Sequence, residues 1–111
     1  MHVKTTRLGV ATYLAPDGAL TEENLPDLEA AVLQARAAGA TQLVLDLGRV
    51  PCCDSRGLEF VADLSESLRA VGGALHLAQP VPLCQQIFSI TRLDSTIPIH
   101  PDLASAARSF L

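Results

Sequence analysis

Apolar positions recur along this chain in two periods, and Gly or Pro stands at most places where the period changes. Residues 3 to 15 hold two β-leaning pieces around Gly9, with Val10, Thr12 and Leu14 marking the alternation of the second. Pro16-Asp17-Gly18 then carries turn chemistry. Leu25, Leu28 and Val32 recur at helical spacing, and Glu22, Glu23 and Asp27 stand near the positive end of that helix's dipole. Its cap is Thr21 or Asn24; Pro26 fits better in the first turn of a helix opening at Asn24, and Gly39 ends it.

Leu43 to Leu47 is apolar except for Asp46, which predicts a central strand covered on both faces. A second helical stripe follows at Leu58, Val61, Ser65 and Leu68, flanked by Ala62 and Leu64 and closed by Gly72-Gly73. Residues 74-ALHLA-78 read as a short strand. Pro80 and Pro82 open a third helix whose predicted core stripe is Leu83, Ile87 and Ile90. The last strand is predicted at 96-TIPI-99, demoted to an edge by Pro98. A terminal helix over 101 to 111 has Leu103, Ala106 and Phe110 on one side. The order β-β-α-β-α-β-α-β-α predicts an α/β fold, with a mostly parallel central sheet of about five strands and about four helices.

Composition narrows the function classes. With 49% hydrophobic and 18% charged residues, the chain has enough apolar surface for one core, and 111 residues leave no room for a second. A net charge of −4 with no run of Lys or Arg argues against direct nucleic-acid binding. The apolar run 8-LGVATYLA-15 is short and lacks a small-residue cleavage site, and no run reaches membrane-spanning length. The expectation is a cytoplasmic protein without membrane insertion. Cys52, Cys53 and Cys84 form neither a C-x-x-C pair nor a set with metal-ligand spacing, so they read as reduced thiols filling core or loop, with redox sensing at Cys52 and Cys53 as the lesser alternative. His76 falls inside a strand pattern and reads as a hydrogen-bonded histidine rather than a ligand. No metal site and no cofactor are expected.

Candidate chemistry concentrates in 51-PCCDSRGLEF-60, between the central strand and the second helix. Strand ends and helix N-termini gather unpaired backbone N–H groups and the positive end of the dipole. Ser55 stands at that junction either as a plain N-cap or as a hydroxyl open to modification. Gly57 fits close packing of helix on sheet, and Arg56 fits either a solvated first turn or a partner for an anion.

The stretch 43-LVLDLGRVPCCDSRGLEFV-61 resembles the central motif of the STAS family, shared by bacterial anti-sigma-factor antagonists and the cytoplasmic tails of sulfate transporters. The resemblance extends through 72-GGALHLAQP-80 and 91-TRLDSTIPIHPDLASAARSFL-111, which makes residues 1–111 a single STAS domain. It implies that Ser55 is the serine phosphorylated by an anti-sigma factor with serine kinase activity, and that a cognate phosphatase resets it. Asp54 matches the acidic neighbour of that serine, and Gly57 and Leu58 match the first turn of the helix behind it. Arg56 and Thr21 depart from the family pattern, a small or hydroxylated residue and an Asp respectively, at positions expected to meet the partner. ATP and magnesium belong to that partner.

The leading expectation is therefore a non-enzymatic binding module switched by phosphorylation of Ser55. Its rival is an unphosphorylated STAS scaffold subunit of a signalling or transport complex. A hydrolase with Ser55 as nucleophile fares worse, because the sequence offers no histidine close to the loop and no G-x-S-x-G elbow. Oligomeric state is not encoded in these patterns.

Overall fold

The fold, given by a computed structural model that describes residues 1–111, begins with a hairpin. Strand β1 (His2–Leu8) pairs antiparallel with β2 (Ala11–Asp17), from His2 opposite Asp17 to Leu8 opposite Ala11. Gly9 makes the turn with φ +62°, a left-handed conformation that suits a residue without a side chain. β2 runs on through Pro16 and Asp17, so the predicted turn at 16–18 narrows to a bend at Gly18. Pro16 is tolerated because the parallel ladder to β3 (Gln42–Asp46) has already ended at Leu14.

Helix α1 (Leu25–Ala37) opens after Asn24 with Pro26 in its first turn, as the sequence predicts, and Gly39 follows it at φ +95°. Then come α2 (Ser55–Ala70), β4 (Ala74–Ala78), α3 (Pro82–Ile90), a two-residue β5 (Ile99–His100) and α4 (Leu103–Arg108). The strands stand in the order β1-β2-β3-β4-β5, and every pair after the first is parallel. This is the predicted α/β sheet of five strands with four helices.

Sequential order has a consequence for the layers. Right-handed crossovers that always step the same way set their helices on the same face, so α1, α2 and α3 share one side of the sheet. The main core lies there: Leu14, Leu43, Leu45, Leu75 and Leu77 point from the strands toward Leu28, Val61, Leu68 and Phe88 of the helices. The opposite face carries a smaller cluster of Ala11, Tyr13, Val44, Ala78 and Ala106, covered by α4 with Phe110 packed against it. β3 is thus buried on both faces, as its nearly continuous apolar run predicts.

Two expectations need correction. On α3 the buried residues are Cys84 and Phe88, whereas Leu83 is 51% and Ile90 81% exposed, so the predicted stripe faces outward at both ends. The last strand is Ile99–His100 rather than residues 96–99. Leu93–Ser95 form a turn of 3-10 helix, Ile97 is buried, and Pro98, lacking an N–H, contributes only its carbonyl, which accepts from the Leu77 N–H at 2.9 Å. The edge position expected from Pro98 is observed.

Candidate functional site

Two loops leaving the carboxyl ends of β2 and β3 are stitched together by backbone hydrogen bonds. The Leu20 N–H donates to the Cys52 carbonyl at 3.0 Å, and the Asp54 N–H donates to the Leu20 carbonyl at 3.1 Å. Asp54 caps α2: its Oδ1 accepts the Gly57 N–H at 2.9 Å, three residues on. The capping reading of Ser55 is thereby corrected, since Ser55 is the first residue inside the helix and is exposed. Both Asp and Ser cap well, and the structure assigns the cap to the first of them.

Gly57 decides how close the helix comes. A Cβ placed there would run into the Leu20 carbonyl oxygen and lie 2.9 Å from the Leu20 Cβ, so only glycine lets the first turn of α2 sit on the β2 loop. Leu58, half-buried, packs against the main core and anchors that turn from below. Ser55 is thus displayed on a rigid element and not on a free loop.

The charges around it are asymmetric. Asp54 uses its second oxygen to accept a long 3.4 Å bond from the Glu22 N–H. Arg56 reaches back to Glu22, with Nη2 3.6 Å from Oε1 and both side chains mostly in solvent. Thr21, half-buried beside Glu22, accepts the Asn24 and Leu25 N–H groups at 2.9 Å through its carbonyl. Ser55, Asp54, Arg56, Gly57, Leu58 and Thr21 therefore converge on one patch. Glu22 also belongs to the patch, although the sequence marks it only as a dipole-facing acid; its role comes from the long-range contact with Arg56.

The three thiols lie behind this surface. Cys84 is fully buried with its Sγ 3.6 Å from the Val50 carbonyl, while Cys52 and Cys53 are half-buried. Burial, reinforced by the neighbouring Cys84, pushes the Cys53 thiol up to about 12, which keeps it protonated and unreactive at neutral pH. Cys84 belongs to the main core and Cys53 packs against it.

Residues 2–106 match the STAS domain family. The chain belongs to that family. This STAS domain is 32% identical over 93 residues to a protein of Bordetella bronchiseptica named as a candidate anti-sigma factor antagonist, BtrV, covering 84% of the chain and 80% of that relative. Among solved structures, it superposes with a TM-score of 0.90 on a candidate anti-sigma factor antagonist of Thermotoga maritima, at 22% identity and covering 96% of this chain and 92% of the other. The phosphorylated form of SpoIIAA, the cell-fate determinant of Bacillus, aligns with a TM-score of 0.73 at 20% identity, covering 97% and 99% of the two chains. No helix of the STAS domain is long and apolar enough to cross a membrane.

A second constellation lies on the opposite face of the sheet. His76 Nδ1 is 2.9 Å from His100 Nε2, and His76 packs on Phe110 with ring centroids 4.6 Å apart. The Ser109 hydroxyl donates to the Ala106 carbonyl at 2.6 Å, and its oxygen also lies 3.2 Å from His76 Nδ1. His76 is hydrogen-bonded as expected, but its pairing with His100, 24 residues away, has no local signature in the sequence. These imidazoles cannot serve Ser55 as a base from the far face of the sheet, so the geometry lends the hydrolase reading no support.

Proposed function

We propose that this STAS domain is a cytoplasmic anti-sigma-factor antagonist whose docking onto a serine-kinase anti-sigma factor is switched by phosphorylation of Ser55. The observation that carries the reading is the division of labour at the head of α2: Asp54 takes the capping role, and the adjacent hydroxyl stays exposed on a fixed first turn. The named function of the Bordetella relative and the likeness to phosphorylated SpoIIAA support it.

The chemistry is a phosphoryl transfer. The Ser55 oxygen attacks the γ-phosphorus of ATP bound to the kinase, the bond to the β-γ bridging oxygen breaks, and ADP leaves. The hydroxyl proton passes to a base on the kinase. The domain supplies the positioned acceptor and no cofactor. The product carries roughly −1.5 to −2 charges next to the Asp54 carboxylate and near Glu22. Repulsion within that group is on the order of a few kcal/mol at an intermediate effective dielectric. The dipole at the N-terminus of α2 offsets part of it. Arg56, held only by an exposed pair with Glu22, is free to turn toward the phosphate. A partner surface matched to the neutral hydroxyl then meets a dianion and a displaced guanidinium, and a phosphatase restores it by hydrolysis of the ester.

The test is incubation with the serine-kinase anti-sigma factor, ATP and magnesium, followed by mass spectrometry. The expected result is one adduct of about 80 Da mapped to Ser55 and absent from Ser55→Ala. An unmodified Ser55 in a stable complex would favour the scaffold reading instead.

A further inference from the structure

The strand leucines on the helix-bearing face are fully buried, but the helices above them leave an open groove on the outer surface. α1 packs over β1 and β2 and α2 over β4, and the two helices leave a trough of about 550 Å³ between them. Leu25, Leu33, Phe60 and Leu64 give it an apolar lining, and Leu33 is 68% exposed although it lies mid-helix. A strap crosses it toward one end, where Arg36 Nη1 donates to Ser67 Oγ at 2.7 Å. The other end of the trough reaches Arg56 and Glu22, the pair beside Ser55.

The rim has a sign. Glu29, Glu59 and Asp63 line the trough and take part in none of the molecule's ion pairs. Arg36 donates to the neutral Ser67 hydroxyl and Arg56 pairs loosely with Glu22, so the acids of the rim, Glu22, Glu29, Glu59 and Asp63, outnumber its two arginines. A second copy of the chain would set acid against acid, and a nucleic acid would be repelled. The complementary ligand is apolar along one stripe and basic on both flanks. Two walls of 13 and 16 residues give a length of roughly 20 Å, which seats about three helical turns presenting anchors at i, i+3, i+4 and i+7.

We propose that the α1–α2 trough is a docking groove for a basic amphipathic helix of the protein partner. The identity of that partner as the anti-sigma factor rests on the antagonist reading; the groove itself does not. Because Arg56 and Glu22 belong to both surfaces, a phosphate on Ser55 alters one end of the groove, and the docking helix feels the switch directly.

The experiment titrates the full isotope-labelled chain with a synthetic helical peptide carrying Leu at the four anchor positions and Lys or Arg on the flanks. A control peptide keeps the Leu stripe and carries Glu on the flanks. Saturable amide shifts confined to the facing sides of α1 and α2 are expected with the basic peptide alone. Leu33→Asp and the charge-reversed pair Glu29→Lys with Glu59→Lys each weaken it at least about tenfold while thermal unfolding stays unchanged, because all three side chains are exposed. Shifts centred elsewhere, such as the exposed Leu83 and Ile90 side of α3, equal binding of both peptides, or unaltered affinity in the variants would overturn the groove. Ser55→Ala leaves peptide affinity as it is, so loss of the groove does not remove the switch, and an unphosphorylated Ser55 does not remove the groove.

Discussion

Gly57 and Asp54 hold the chemistry of the head of α2 in place, and each gives a measurable expectation. Gly57→Ala pushes a methyl group into the Leu20 backbone, where there is no flexible side chain to yield. Overpacking of this kind costs about 1–3 kcal/mol, read as a lowered denaturant midpoint at unchanged slope. Asp54→Ala removes the acceptor for the Gly57 N–H and costs about 0.5–2 kcal/mol, whereas Asp54→Asn keeps an oxygen there and costs less. If the Asn and Ala variants unfold at the same denaturant concentration, the capping assignment is wrong. At this scale the sequence singles out Asp54 and Ser55 but does not say which of them caps the helix. Asp-Ser presents two good caps in a row, and only the geometry of the turn chooses between them.

Helix α3 shows where periodicity stops being decisive. Nine residues rich in apolar types carry two stripes, one through Leu83, Ile87 and Ile90 and another through Cys84 and Phe88, and both have helical spacing. What selects between them is the long-range placement of Phe88 in the main core with Ile97 and the strand leucines, which no local pattern records. Phe88→Ala should therefore cost about 3–5 kcal/mol, and Ile90→Ala should stay within about 0.5 kcal/mol of the parent, both by chemical unfolding. The face covered by α4 carries a pH dependence of its own. Burial, and then the neighbouring His100, hold His76 below the ordinary histidine value. The native state thus keeps it neutral, while the unfolded chain takes up a proton as pH falls below about 6.5. The stability tied to this site is complete above that pH and declines as the solution is acidified through it. Asp102 is likewise held below its ordinary value, chiefly by the Ser105 N–H, so the stability it contributes is present above the ordinary carboxylate range and lost only at more acidic pH. Comparing unfolding near pH 7.5 and near pH 5.5 should show a loss that His76→Phe diminishes; an equal slope in both proteins would contradict the assignment.

At the scale of the molecule, the alternation of strand and helix patterns was enough to read an α/β fold, because crossover connections leave few ways to arrange such an order. The sequential strand order, and with it the gathering of α1, α2 and α3 on one face, was not legible, since no local period encodes which strand neighbours which. The proposed switch surface follows from that order: β2 and β3 are neighbours, so their following loops meet and bring Leu20, Thr21 and Glu22 beside Asp54, Ser55 and Arg56. The most direct test of the central claim is calorimetric titration of the serine-kinase anti-sigma factor with the unphosphorylated domain and with the same domain carrying a phosphate on Ser55. A phosphate-dependent loss of at least about 100-fold in affinity, near 2.7 kcal/mol, is the predicted result, with Ser55→Asp falling between the two. Equal affinity of the two forms would contradict it.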